Sequence, residues 1–131
     1  MEEQTKSTEK SESFVIALIQ MKSTKDKEAN LNRAQELVET AVKLHKPKIV
    51  ILPEFFTTPI NSKNYKNYAE NESDSPTLKL LQSLAKEHNV HIIGGSFPSY
   101  KNDDENKKQL SATDVSKHQI WLLIVAGSNV D

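Results

Sequence analysis

Three short apolar runs alternate with two segments of helical period, and this alternation limits what the chain can fold into more than any other feature. Phe14-Val15-Ile16-Ala17-Leu18-Ile19 is continuous and rich in β-branched residues, so it reads as a strand buried on both faces, as in a parallel sheet. Ile49 to Leu52 and Val90-His91-Ile92-Ile93 read as second and third strands. Between the first two, Leu31, Ala34, Leu37, Val38, Ala41 and Leu44 recur at three- and four-residue spacings and line one helix face. Glu28, Asn32, Arg33, Glu36, Glu39 and Lys43 occupy the other. Pro47 cannot continue a helix and disfavours helical geometry at Lys46, so the helix is expected to stop near His45. The second helix is announced by Ser75 at the N-cap and Pro76 at the first helical position. Leu78, Leu81, Leu84 and Ala85 supply its buried stripe, and Asn89 suits a left-handed helix end.

The predicted order is therefore β-α-β-α-β, an α/β arrangement. Each helix is long enough to cross between parallel strands, and such crossovers are right-handed. All three strands then point the same way. Their carboxyl ends deliver Gln20, Glu54 and the Gly94-Gly95-Ser96 turn to one rim, where open α/β sheets bind ligands. Residues 57–74 show no period and read as a long loop. Residues 1–13 are polar and charged, and read as a disordered leader. After residue 98 the chain turns polar again, and 99–131 reads as a divergent tail. Within it, Ile120 to Ala126 fits either a fourth strand or a short helix, because period alone does not decide.

At 131 residues the chain is one domain by size. A net charge of -1 gives no pull toward nucleic acid or an anionic membrane surface. No apolar run reaches the length of a membrane helix. The opening MEEQTKSTEKSES has no apolar core, so it is neither a signal peptide nor an Arg-rich transit peptide, and a cytoplasmic chain is the default expectation. There is no cysteine, which excludes disulfides, Cys-ligated zinc and a thiolate nucleophile within these residues.

Glu54 is the principal candidate for chemistry. It follows Pro53 at the end of an otherwise apolar strand, where partial desolvation would suit a carboxylate to general-base work. The competing reading is a carboxylate that caps a helix or pairs with a lysine. Gly94-Gly95-Ser96 lets backbone approach a ligand closely, or is simply a turn leaving a strand. It is not a dinucleotide-binding fingerprint. His45 and His88 fall at helix ends, His91 falls within a strand, and with His118 they show no ligand spacing, so no metal is expected. Phe55, Phe56, Tyr65 and Tyr68 either line a pocket beside Glu54 or pack the loop down. Asn71-Glu72-Ser73 matches a glycosylation sequon, read as accidental for want of a secretory signal.

Taken in order, "FVIALIQM", a helix, "KIVILPEFF" and "SPTLKLLQSLAKEHNVHIIGGSFP" resemble the N-terminal part of the nitrilase superfamily, the carbon–nitrogen hydrolases, and within it the omega-amidase branch. The likeness covers about residues 14–98. It implies an α-β-β-α sandwich, of which this chain supplies the first β-α-β-α-β portion, and usually a homodimer or larger assembly. It implies hydrolysis of a small non-peptide amide or nitrile by a Glu-Lys-Cys triad, without a cofactor. The thiolate attacks the carbon, the glutamate accepts the proton and the lysine stabilises developing charge. Only the glutamate carries over, as Glu54. Lys117-His118 lacks the surroundings of the family's lysine motif and is not assigned. Where the family has a glutamate after its G-G-S-x-P turn, this chain has Ser99. The resemblance thus points to a truncated or degenerate family member, inactive as a single chain. The sequence leaves two other readings open. One is a non-catalytic chain that associates with itself or with a full-length homologue. The other is an unrelated nucleotide-binding module, which explains β-α-β-α-β but not L-P-E followed by G-G-S-F-P.

Overall fold

The computed structural model describes residues 12–59 and 65–100, together with the backbone of 124–125. Its elements run β1 (Ile16–Leu18), α1 (Lys27–His45), β2 (Ile49–Ile51), a 3₁₀ turn (Tyr65–Tyr68), β3 (Glu70–Asn71), α2 (Pro76–His88), β4 (His91–Ile93), β5 (Ser99–Tyr100) and β6 (Ile124–Val125). The main sheet has the order β1-β2-β4-β6. β1, β2 and β4 are parallel, with Leu18, Ile51 and Ile93 in one register row and Ile16, Ile49 and His91 in another. β6 joins the far edge antiparallel to β4. The run Ile120 to Ala126 therefore contributes a strand at 124–125; its other residues lie outside the described ones, as do 1–11, 60–64 and 101–123.

The helices form where their caps and periods place them. Asp26 caps α1 by accepting a hydrogen bond from Ala29 N at 3.0 Å, and Ser75 caps α2 by accepting one from Leu78 N at 3.1 Å. Pro76 opens α2 at its first turn, where a missing N–H costs nothing. Both helices close on a left-handed residue, Lys46 (φ 48°) and Asn89 (φ 50°).

Ala34 and Val38 of α1 meet Leu81, Leu84 and Ala85 of α2 over Val50, Leu52, Val90 and Ile92 of the sheet. Ala17 and Ile19 flank this core. Strand residues alternate faces, so both helices lie on the face carrying Ala17, Val50 and Ile92.

Two expectations about burial are corrected. The first strand is not buried on both faces: Ile16 is 47% and Leu18 72% exposed. β1 is a sheet edge, and among the described residues nothing covers the face opposite the helices. Leu44, placed on the apolar stripe of α1, is 66% exposed, although Val42 in the same turn packs against the core. Asn30 takes a buried position on α1 instead.

Residues 65–74, in the loop between β2 and α2, hold structure that the lack of period does not suggest. Glu70 and Asn71 pair in parallel with Ser99 and Tyr100. Glu70 is buried, and its carboxylate accepts from Ser75 Oγ (3.0 Å), Thr77 N (2.8 Å) and Thr77 Oγ1 (2.6 Å), with Lys27 Nζ at 3.2 Å. One carboxylate thus joins the start of α1 to the start of α2, and every lone-pair direction it buries is used.

Candidate active site

The rim at the carboxyl ends of β1, β2 and β4 gathers the residues that the sequence assigns to it. Gln20, Met21 and Lys22, just past β1, line a shallow groove with Ile19 and Pro53. Beyond Pro53 the chain turns sharply through residues 54–57. Phe55 holds a left-handed conformation at φ 53°, which is costly for a residue with a Cβ and persists only where surroundings impose it.

The surroundings here are the turn that follows β4. Leu52 N donates to Ile93 O (2.9 Å), and Phe55 N donates to Ser96 O (2.8 Å). These two hydrogen bonds bracket Pro53 and Glu54. Between them Gly95 adopts φ 68°, and a Cβ built on it would stand 3.0 Å from both Glu54 Cα and Pro53 O. Only glycine lets the two turns come this close. Glu54 and the Gly94-Gly95-Ser96 turn, two separate features in the sequence, are one backbone unit.

Within that unit Glu54 is exposed. The expected partial desolvation is therefore not found: the turn lifts the side chain off the end of the strand, away from the core beneath it. No hydrogen bond or ion pair reaches the Glu54 carboxylate among the described residues, so neither helix capping nor a lysine partner accounts for it. The carboxylate is held by its backbone and left available.

Sequence reasoning missed the residues that secure this turn from below. Asn30 Nδ2 donates to Thr57 O (3.1 Å) and to Thr24 O (2.8 Å), while Asn30 Oδ1 accepts from Thr24 N (2.7 Å) and Thr24 Oγ1 (3.0 Å). A buried amide with all these bonds made ties the loops after β1 and β2 to α1. An asparagine on the apolar stripe of a helix was the available signal. Thr57 Oγ1 and Ser96 Oγ are buried beside Glu54 and lack a partner among the described residues.

The aromatic residues divide. Phe56 is part of the core, and Phe55 is half-buried in the turn. Tyr68 donates its hydroxyl to Lys25 O (3.0 Å) and anchors the loop; the side chain of Tyr65 lies outside the described residues. His45 and His88 end the two helices and His91 sits in β4 beside Ile49, so the histidines stay apart. His118 and Lys117 lie outside the described residues. Among the described residues no three metal-ligating side chains converge, and no helix is long and apolar enough to cross a membrane.

The carbon–nitrogen hydrolase family model matches residues 15–126, past the point at which the likeness of the sequence fades. The human omega-amidase NIT2 is 40% identical over 86 residues, 66% of this chain and 30% of the relative. The chain spans about 30% of the length of the curated relatives it matches. Among solved structures, Saccharomyces cerevisiae Nit3, of branch 10 of the nitrilase superfamily, superposes with a TM-score of 0.61 at 33% identity, covering 66% of this chain and 34% of that one. The Caenorhabditis elegans NitFhit protein, at 24% identity, agrees in fold with a TM-score of 0.56 over 85% of this chain and 24% of its own. The described elements are the N-terminal β-α-β-α-β portion of a nitrilase-type sandwich, and the chain belongs to the carbon–nitrogen hydrolase family.

Proposed function

We propose that this chain carries the glutamate arm of an omega-amidase-type site, and that the polypeptide of these 131 residues does not complete the reaction alone. One observation supports the first part. Glu54 stands at the carboxyl rim on a turn fixed by the Gly95 approach and the Phe55–Ser96 hydrogen bond, with its carboxylate unpaired among the described residues. A general base needs that combination of fixed backbone and free carboxylate. In the reaction that the family relationship suggests, a thiol loses its proton to the glutamate as sulfur bonds to the amide carbon. The C–N bond then breaks, ammonia leaves with a returned proton, and water releases the acid. The substrate class is a small non-peptide amide.

The second part follows from composition. These residues contain no cysteine, and no other side chain supplies a thiolate. Losing one member of a cooperative catalytic unit removes most of its rate enhancement. The purified polypeptide, incubated with 2-oxoglutaramate, is expected to release ammonia at the buffer rate. Release well above that rate, abolished by Glu54→Gln, would show that another group of this chain replaces the thiol.

A further inference from the structure

Asn30 stands at a position where packing calls for an apolar residue. It continues the buried row that Ala34 and Val38 form on α1 at four-residue spacing, and it is 1% exposed. An aliphatic residue would fill that place and favour the helix more. What the amide adds is four hydrogen bonds. Nδ2 donates to Thr24 O (2.8 Å) and Thr57 O (3.1 Å), and Oδ1 accepts from Thr24 N (2.7 Å) and Thr24 Oγ1 (3.0 Å). Both donors and both lone pairs are used.

These bonds reach two sides of the rim. Thr24 follows Gln20, Met21 and Lys22, which line the groove on the β1 side. Thr57 ends the turn that starts at Glu54, directly after Pro53 on the groove's other side. We infer that Asn30 is a positioning residue for the site. Through Thr57 O it holds the turn that bears Glu54, and through Thr24 it holds the β1-side wall of the groove in register with that carboxylate. Gly95 and Ser96 brace the same turn from β4, so the glutamate is anchored from the sheet and from α1 at once. The inference rests on Glu54 being the base, a group that must keep its place to within about 0.5 Å. The two holds are chemically separable. An aspartate at position 30 still accepts from Thr24 N but has no proton to donate to Thr57 O.

Amide hydrogen exchange of the full chain tests this. Thr24 N donates to Asn30 itself, Phe55 N to Ser96 O within the glutamate turn, and Leu52 N to Ile93 O in the sheet. In Asn30→Asp, Phe55 N is expected to exchange about fivefold faster relative to Leu52 N, the worth of one hydrogen bond, while Thr24 N keeps its parental protection. Asn30→Ser, too short to reach Thr57 O, should speed Phe55 N likewise, and serves where Asn30→Asp does not fold. A merely structural role would speed all three amides together, and that result overturns the inference. A parental ratio of Phe55 N to Leu52 N also overturns it, because the turn would then be held from β4 alone. Ammonia release that survives Glu54→Gln would overturn the reading of the base and leave these ratios as stated, so the two failures are told apart.

Discussion

Gly95 and Glu54 touch through their backbones: a Cβ on Gly95 would lie 3.0 Å from Glu54 Cα. Gly95 also sits at φ 68°, where a side chain is strained whatever the space. Gly95→Ala is expected to cost about 2–3 kcal/mol, from the left-handed conformation and the forced separation of the two turns. Urea denaturation reads the loss. Amide shifts of Glu54 and Phe55 should move more than those of α1. A variant with parental stability would mean that the two turns are not held against each other.

The two left-handed helix ends give a paired prediction. Lys46 and Asn89 share nearly the same backbone angles, φ 48° and φ 50°. Asparagine tolerates that region and lysine does not. Lys46→Gly should therefore stabilise the protein by about 0.5–1 kcal/mol, whereas Asn89→Gly should change it by only a few tenths. Equal effects in thermal melts would contradict the strain assigned to Lys46.

Glu70 should be the least replaceable carboxylate among the described residues. Removing it strands Thr77 N and the two hydroxyls that now donate to it, and leaves Lys27 Nζ without its counter-charge, bonded to Tyr68 O alone. Glu70→Ala is expected to cost roughly 3 kcal/mol, within the range for breaking a buried ion pair at one partner. Glu70→Gln keeps one acceptor for Thr77 N and should cost about half as much. A Lys27→Met background should shrink the penalty for Glu70→Ala, since no ammonium is then left unpaired; a double-mutant cycle measures that coupling.

Asp74 supplies a titration that reports on one surface pair. Its hydrogen bond and ion pair with Lys79 hold the carboxyl below the usual carboxylate range. A lowered folded-state value means that the pair contributes above the unfolded-state value and is lost as pH falls through the folded one. Lys79→Met should move the Asp74 titration back up, followed by carboxyl carbon shifts, and added salt should do the same in part. Both groups are exposed, so the melting temperature near neutral pH should barely change.

Local signals carried most of the backbone. Ser75, Pro76, Asn89 and Pro47 act within a few residues of themselves, so the helix ends they imply agree with the structure. The rim position of Glu54 also follows from strand order alone. Burial did not follow, because it depends on what packs where. Ile16 and Leu18 have the composition of buried residues and lie on a face left open among the described residues, while Leu44 has the right period and is exposed. The polar residues that secure the site were harder to foresee. Asn30 and Glu70 look like surface residues until Thr57 and Lys27 arrive from distant parts of the chain. The exposure of Glu54 belongs to the same class: the turn that lifts it is shaped by Gly95, not by its own strand.

The Phe55–Ser96 hydrogen bond also dates the site during synthesis. A nascent chain that has emerged only through α1 and β2 already contains Glu54, yet nothing in it holds the turn in its left-handed form. The carboxylate takes up its position only after α2 has crossed back and β4 has docked with its glycine turn. Ribosome-stalled chains released before residue 96 would hold the glutamate without the geometry that gives it purpose.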